Sequence, residues 1–315
     1  MAQLRAPSAT VDSTRDAPHS RVAPLTNTIN HASRHFNGQG LSACSDARAA
    51  SRRGYGIAFT LERLGFLLMV FFKSIAAVLL LLGATSGGLC RAAEPECTFP
   101  DEVADIGRPL SGLSGRLDSK RPLKIVALGS SSTAGAGASR PDAAYPSRLQ
   151  ERLSLLLGHQ IIVVNRGRNG DRVGDMLSRV PADVIPEAPE AVIWQVGTNA
   201  LLTDLDPRAV GSVLLRGARE ITATGTDLIV MDPQYAPKVL IHGQAEELVG
   251  LMGGLAVQAG AGLFRRFQLM RFWHDRRLGF DQFLSPDQLH MNDWSYGCLA
   301  NALAVAIVRA VRPPR

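Results

Sequence analysis

The chain of 315 residues has no excess of positive charge beyond its first 93 positions. Its formal net charge is +6, but residues 1–93 hold 10 of the 34 basic and only 4 of the 28 acidic residues, so residues 94–315 carry 24 of each. The sequence also lacks a basic stripe interleaved with aromatic residues and any nucleic-acid-binding motif. These absences exclude nucleic acid as an expected partner.

A sustained apolar period is missing from residues 1–68. Ser, Ala, Arg, Asn and His are mixed there without the recurrence that a helix or a strand requires. We expect this segment to be disordered, or to be a mis-annotated extension upstream of a true start at Met69. The second hypothesis follows from the targeting signal after it, which belongs at an N-terminus.

Residues 69–93 have the organisation of a secretory signal peptide. Lys73 precedes the apolar stretch Ile75–Leu82, which is well short of the ~20 residues needed to cross a bilayer, and small residues follow it. Cleavage is expected near Ala92/Ala93, which predicts a periplasmic or secreted protein. If the apolar stretch is taken to begin further upstream and Lys73 is tolerated within it, the stretch is long enough to cross a bilayer. A retained membrane anchor is therefore the alternative.

Cysteine is scarce, with four residues at positions 44, 90, 97 and 298. Removal of a signal peptide would leave Cys97 and Cys298. An even pair in an oxidising compartment predicts a disulfide bond, which would close a loop of about 200 residues. Two unrelated buried thiols are the alternative.

Short apolar runs alternate with helical spacing from residue 122 onward. The alternation predicts βαβ units, and the unbroken apolar strands are typical of a parallel sheet covered on both faces. We expect one α/β domain over 122–315, a three-layer α/β/α sandwich with a five-stranded parallel sheet, after an extended lead-in over 94–121. Strands are predicted at 124–128, 160–165, 191–196, 227–232 and 263–267, and helices at 145–157, 173–180, 207–224, 239–261 and 295–311.

Ligands of an open parallel sheet bind beyond the carboxyl ends of its strands. The first loop at that edge, Gly129–Gly137, is rich in Gly and Ser. It lacks the Lys-Ser/Thr pair of a P-loop and the glycine spacing of a dinucleotide-binding fingerprint, so phosphate binding is not favoured. The other loops expected at the same edge are 165–171, 197–200 and 285–292.

The last of these loops contains an acid and a base three positions apart. A turn places Asp287 and His290 on one side, where the carboxylate can hold the imidazole in the tautomer whose Nε2 accepts a proton. A serine at the end of the first strand would then be the nucleophile. By itself, His290 would be interpreted as a solvated surface residue.

Acyl transfer also needs hydrogen-bond donors for an oxyanion. Gly170 offers a backbone N–H without an obstructing side chain, and Asn199 offers a side-chain amide. Taken singly, Gly170 is a turn glycine and Asn199 an Asx turn or a helix cap. Their location in loops at one sheet edge favours the joint interpretation.

These blocks resemble those of the SGNH hydrolase (GDSL esterase/lipase) superfamily, in the same order and over about residues 122–311. The resemblance implies a flavodoxin-like sheet and no metal or cofactor. The matching segments are Gly129-Ser130-Ser131-Ser132-Thr133, Gly170 within Asn165-x-Gly167-x-x-Gly170-Asp171, Gly197-Thr198-Asn199 and Asp287-x-x-His290.

The resemblance also implies catalytic roles for these residues. Ser131 corresponds to the nucleophile, His290 to the base and Asp287 to the acid that orients it. The oxyanion hole corresponds to the N–H of Ser131, the N–H of Gly170 and the side chain of Asn199.

Two positions depart from the superfamily pattern. Ser130 stands where the pattern has Asp, which leaves three adjacent serines, and Ala200 replaces the second Asp of the third block. Neither position is catalytic in the pattern, so the assignment of Ser131 stands. Ser130 or Ser132 as the nucleophile is the alternative.

The sequence therefore predicts an exported serine esterase for small acyl esters, including O-acetylated carbohydrates, with a small-molecule or polysaccharide ester as its substrate. One alternative is a thioesterase or a lysophospholipase-like lipase, in which the stretch 250–269 lines a longer acyl pocket; core packing explains that stretch equally well. A non-catalytic carbohydrate-binding protein is the other alternative, and the complete set of Ser, His and Asp argues against it.

The location of the true start can be tested by N-terminal peptide mapping of the native product. We expect peptides that begin after residue 68 and, if export removes the signal peptide, a mature N-terminus near Ala93. Any peptide from residues 1–60 would contradict the hypothesis that this segment is an annotation error.

Overall fold

The computed structural model describes residues 95–312. The predictions for residues 1–68 and for the signal peptide at 69–93 lie outside the described residues. Five parallel strands form one sheet in the order β2-β1-β3-β4-β5, which confirms the predicted α/β class and the flavodoxin-like strand order. The strands are β1 (Leu123–Gly129), β2 (Ile161–Gly167), β3 (Ala191–Gln195), β4 (Asp227–Met231) and β5 (Gly262–Phe264).

Helices cover the sheet and form its connections. The chain moves from β1 outward to β2, then returns to β3 and continues to β5, so right-handed crossovers place the helices on both faces. The helices are α1 (Ser111–Ser114), α2 (Ser131–Ala134), α3 (Tyr145–Leu157), α4 (Val173–Ser178), α5 (Val180–Asp183), α6 (Thr198–Leu201), α7 (Pro207–Thr222), α8 (Pro237–Leu240), α9 (Ala245–Gln258), α10 (Arg266–Asp275), α11 (Phe280–Phe283) and α12 (Asp293–Val311).

The central strands form because nearly every side chain along them can be buried. All five residues of β3 are buried, and Trp194 is completely enclosed. Its indole reaches helix α7 at Gly217, where an added Cβ would lie 2.5 Å from the ring. The sheet therefore lies between two helical layers, as both-sided burial of β3 predicts. This packing holds the carboxyl ends of the strands at fixed positions.

Two predicted elements differ from the structure near the end of the sheet. The helix expected over 239–261 is divided into α8 and α9, with Gly243 in the connection between them. The strand expected over 263–267 ends at Phe264, because the chain turns there into α10. The Asp232 carboxylate accepts a 2.8 Å hydrogen bond from the N–H of Phe267 and so caps the first turn of that helix.

The lead-in over 94–121 is not extended as predicted. It contains a 3-10 turn at Asp101–Ala104 and the short helix α1. Val103, Leu110 and Leu113 are completely buried in the same core as the sheet. Pro100, Gly107 and Pro109 lie outside the two helical turns, whereas Ser111, Gly112 and Ser114 are part of α1, and the apolar residues anchor the segment to the domain.

Helix α12 closes the fold. By length and composition it could cross a membrane, but 67% of its apolar window is buried inside the protein. It packs against α3, and Asn292 caps its first turn by accepting a 3.1 Å hydrogen bond from the N–H of Ser295. Its apolar composition is therefore that of a core helix.

The predicted disulfide bond is present and joins Cys97 to Cys298 across 201 positions. It ties the first described residues to α12. Because the bond closes a long loop in the unfolded chain, Cys97→Ser should lower the free energy of unfolding by about 2–5 kcal/mol in the chain-entropy account.

Denaturant unfolding with and without reductant measures this effect. Reductant should destabilise the wild type and leave Cys97→Ser unchanged. If denatured wild type were alkylated at Cys97 and Cys298 without prior reduction, the bond would be absent from the native protein.

Candidate active site

The three adjacent serines occupy the sharp turn between β1 and α2, and their side chains point in different directions. Ser131 is partly exposed, and its Oγ lies 2.8 Å from His290 Nε2. Ser130 and Ser132 are buried, with 2% and 1% of their surface exposed. The structure therefore brings Ser131 to the histidine and directs its two neighbours into the protein.

Ser130 contacts the end of the neighbouring strand β3. The side-chain oxygen of Gln195 accepts hydrogen bonds from the Ser130 N–H at 3.0 Å, from the Ser130 hydroxyl at 3.1 Å and from the Thr133 hydroxyl at 3.1 Å. An ionised aspartate at position 130 would have no hydrogen to donate to that oxygen. The replacement of the pattern's Asp by Ser thus fits the amide that faces this turn.

Asp287 and His290 lie in one closed loop. The N–H of Ser285 donates to the carbonyl of His290 at 2.8 Å, and an antiparallel bridge joins Leu284 to Met291. Within the loop, one oxygen of Asp287 accepts from the N–H groups of Leu289 and His290, and the other lies 2.5 Å from His290 Nδ1. The carboxylate thereby fixes the ring with Nε2 toward Ser131.

These hydrogen bonds set the charge state of Asp287. Burial by itself would raise the pKa of the Asp287 carboxyl, but donation from the Ser285 hydroxyl, the His290 ring and two backbone N–H groups outweighs burial. The pKa of Asp287 is therefore held well below its usual value. The Asp287 side chain is therefore a carboxylate at neutral pH.

The nucleophile loop and the histidine loop meet at Gly137. A Cβ on Gly137 would lie 2.9 Å from the Cβ of His290 and 2.3 Å from the carbonyl oxygen of Met291, and the residue has a φ of +89°. Two further contacts hold the loops together. Asp293 accepts from the N–H of Ser139 at 2.7 Å, and the Tyr296 hydroxyl donates to Ala136 O at 2.6 Å.

The two oxyanion donors predicted from the sequence lie in neighbouring loops that are joined directly. The side-chain amide of Asn199 donates to Asp171 O at 2.9 Å, which leaves its second hydrogen for another acceptor. Gly170 precedes Asp171, and its positive φ of +84° suits glycine. Arg179 joins this loop to the nucleophile strand by donating to the Asp171 carboxylate at 2.7 Å and to Gly129 O at 2.9 Å.

Part of the stretch 250–269 borders a cavity away from Ser131, and part of it lies in the core. Met252 and Phe264 are completely buried in the core. Gly250, Gly253 and Leu263 border a cavity of about 590 Å³, whose lining includes none of Ser131, Asp287 and His290. Core packing, which was the competing explanation for these apolar residues, accounts for most of them.

Sequence reasoning missed the polar residues that support the serine turn. Gln195 is a polar residue within the predicted strand 191–196 and Arg266 lies between Arg265 and Phe267, so nothing in the local pattern assigns either of them to the support of the serine turn. The structure shows both with 0% exposure. In the described part of the chain, no group of three or more His, Cys, Asp or Glu side chains could hold a metal ion.

The fold and this site define an ester hydrolase of the SGNH type. The chain belongs to the Non-GDSL lipase-like family, whose model matches residues 96–313. This match confirms the superfamily predicted from the four sequence blocks.

Known proteins support the same fold. The chain is 24% identical over 189 residues to an arylesterase of Vibrio mimicus, an alignment that covers 59% of this chain and 88% of the arylesterase. It resembles the crystal structure of a lipase/acylhydrolase from Enterococcus faecalis with a TM-score of 0.52 and 22% identity, covering 61% of this chain and 99% of that one. A two-domain esterase active on acetylated mannans gives a TM-score of 0.56 at 19% identity, with 66% and 56% covered.

Replacement of Asp287 by Asn tests the orienting role of the carboxylate. The Asn side chain would present an amide hydrogen to His290 Nδ1 and favour the wrong tautomer, so kcat should fall about 10³–10⁴-fold. Steady-state hydrolysis of an activated ester measures the loss. A reduction of less than about tenfold would contradict the role.

The same variant has an expected signature in acid. Because the pKa of Asp287 is lowered from 3.8, its ionic contribution to stability is complete above about pH 4 and is lost as the pH falls through the lowered pKa. Thermal unfolding of wild type and Asp287→Asn should therefore differ most near neutral pH, and the difference should shrink at the lowest pH.

Proposed function

We propose that this protein is an exported serine esterase that acts through an acyl-enzyme. The observation that carries the proposal is the continuous set of short contacts from Asp287 to His290 Nδ1 and from His290 Nε2 to Ser131 Oγ, at 2.5 Å and 2.8 Å. The partial exposure of Ser131 and His290 leaves the reacting atoms open to a substrate.

Acylation begins when His290 Nε2 takes the proton from Ser131 as Oγ attacks the ester carbonyl carbon. The carbonyl oxygen becomes an oxyanion held by the N–H groups of Ser131 and Gly170 and by the amide of Asn199. When the carbon–oxygen bond breaks, the imidazolium returns its proton to the leaving alcohol. The acyl group is then bound to Ser131.

Deacylation repeats these steps with water. His290 removes a proton from a water molecule, the hydroxide attacks the acyl carbon, and a second oxyanion forms in the same position. Collapse of this intermediate releases the carboxylic acid, and the proton on His290 returns to Ser131 Oγ. Asp287 stays ionised throughout and stabilises the transient imidazolium.

Small acyl groups on aryl or carbohydrate alcohols are the proposed substrates. One relative is an arylesterase, and a protein of the same fold acts on acetylated mannans. Export is supported by the disulfide between Cys97 and Cys298, since such bonds persist in oxidising compartments.

The nucleophile can be identified by comparing the three serine variants. Ser131→Ala should lose p-nitrophenyl acetate hydrolysis by at least about 10³-fold and all labelling by a fluorophosphonate probe, while thermal unfolding stays close to that of the wild type. Ser130→Ala and Ser132→Ala should still be labelled. Labelling of Ser131→Ala at a neighbouring serine would refute the assignment.

A series of esters tests the substrate class. The ratio kcat/KM should be highest for acetyl esters and fall with acyl chain length, and acetate should be released from acetylated polysaccharide. A preference for long acyl chains or for thioesters would instead favour the lipase or thioesterase alternative. Ser131→Ala is the matched control for enzyme-independent hydrolysis.

A further inference from the structure

A completely buried arginine lies behind the nucleophile turn. Arg266 is the first residue of α10 and has 0% of its surface exposed. Its Nη1 donates to Ser132 Oγ at 3.0 Å, and its Nη2 lies 3.4 Å from Thr198 Oγ1. Ser132 follows the nucleophile in sequence and Thr198 precedes Asn199, so one guanidinium contacts the neighbours of two reacting groups.

The hydrogen bonds continue from Thr198 to the histidine loop. The Thr198 hydroxyl donates to the side-chain oxygen of Gln234 at 3.2 Å, and the amide nitrogen of Gln234 donates to Leu289 O at 3.1 Å. Leu289 precedes His290. A single buried network thus reaches the three loops that supply the nucleophile, an oxyanion donor and the base.

Asp232, which directly follows β4, contacts this arginine. Arg266 Nε donates to the carbonyl of Asp232 at 3.0 Å, and one oxygen of the Asp232 carboxyl has no hydrogen-bond partner among residues 95–312. Burial raises the pKa of that carboxyl to about 7, against the attraction of Arg266. Burial lowers the pKa of Arg266 to about 10, against the opposing attraction of Asp232, so the guanidinium stays charged at neutral pH. Burial raises the pKa of the adjacent Tyr145 to about 12, so Tyr145 stays neutral.

A buried ion needs several kcal/mol of compensation, and well-packed apolar side chains often stabilise a fold equally well or better. If this position only had to be filled, a Met or a Leu could therefore replace Arg266. What an apolar side chain cannot do is hold two separate loops through a rigid planar fork of N–H donors. An arginine at this position therefore fixes the geometry of the two loops and does not add stability.

We propose that Arg266 is a positioning residue for acyl transfer, which sets Ser131 relative to the Asn199 loop by holding Ser132 and Thr198. The proposal rests on the proposed esterase function. It also gives a role to the third serine of the triple-serine turn, because Ser132 becomes the point at which the guanidinium holds the turn.

Two conservative variants each remove one contact of the guanidinium. Ser132→Ala and Thr198→Val should each lower kcat for p-nitrophenyl acetate about tenfold or more, because small displacements of reacting groups are costly, with KM changed less than about twofold. Labelling by the fluorophosphonate probe should slow in parallel, since it reports on acylation alone.

Arg266→Met provides the second half of the test. The variant should lose at least as much kcat as either hydroxyl variant. It should also lose thermal stability, because it leaves buried acceptors and the Asp232 carboxyl without their partner, and Asp232→Asn introduced with it should restore part of that stability without restoring kcat. Introduced into Arg266→Met, the Ser132→Ala change should have almost no further effect on kcat, because the contact it removes is already gone.

Ser154→Ala is the matched control, since it removes a hydroxyl that accepts a 3.1 Å hydrogen bond from Ile161 N at the opposite end of the sheet. It should alter stability without altering kcat. Three results would overturn the proposal: an undiminished kcat in Ser132→Ala and Thr198→Val, fully additive losses in the combined variant, or losses that follow thermal stability across all variants, the control included.

Failure of the esterase function would look different. A wild type that neither hydrolyses esters nor reacts with the probe would overturn the function and this proposal together. An active, labelled wild type whose kcat is insensitive to Ser132, Thr198 and Arg266 would overturn the positioning role alone.

Discussion

The close approach of two loops, one after β1 and one before α12, is the constraint on which the site depends. Ser131 and His290 are 159 positions apart, and their 2.8 Å contact exists because Gly137 lets the backbone of one loop touch the other. The packing of α12 against α3 brings the loops to this distance. Hydrogen bonds through Asp293 and Tyr296 then hold them there. Fold contacts thus align Ser131 and His290 without a substrate.

Polar groups buried beneath the serine turn hold that turn in place. Gln195 accepts three hydrogen bonds from the turn, and the Arg266 guanidinium contacts it from another side. Such groups are costly to bury and are tolerated when they are hydrogen-bonded. Their arrangement leaves Ser131, and neither neighbour, free to face His290. The three adjacent serine side chains therefore differ in role because each one has different neighbours.

The strands and the loops of the site could be predicted from the sequence because both depend on local patterns, whereas the strand order was implied by the resemblance to the superfamily. Apolar runs gave β1 to β4 within about two residues, and the spacing of Asp287 and His290 is local to one turn. The ends of β5 and the division at Gly243 were missed, since they depend on tertiary contacts such as the cap that Asp232 gives to α10. Arg266 was missed for the same reason, because its burial is decided by partners that lie 34 to 134 positions away.

The disulfide determines where a force on the upstream chain would act on the domain. The first described residues are fastened to the last third of the molecule by the bond between Cys97 and Cys298 and by indole hydrogen bonds from Trp294 to Pro95 O and from Trp273 to Thr98 O, at 2.8 Å and 3.0 Å. A pull on the chain upstream of residue 95 would be borne by this fastening. Through the covalent bond, the load would pass to Cys298 in α12.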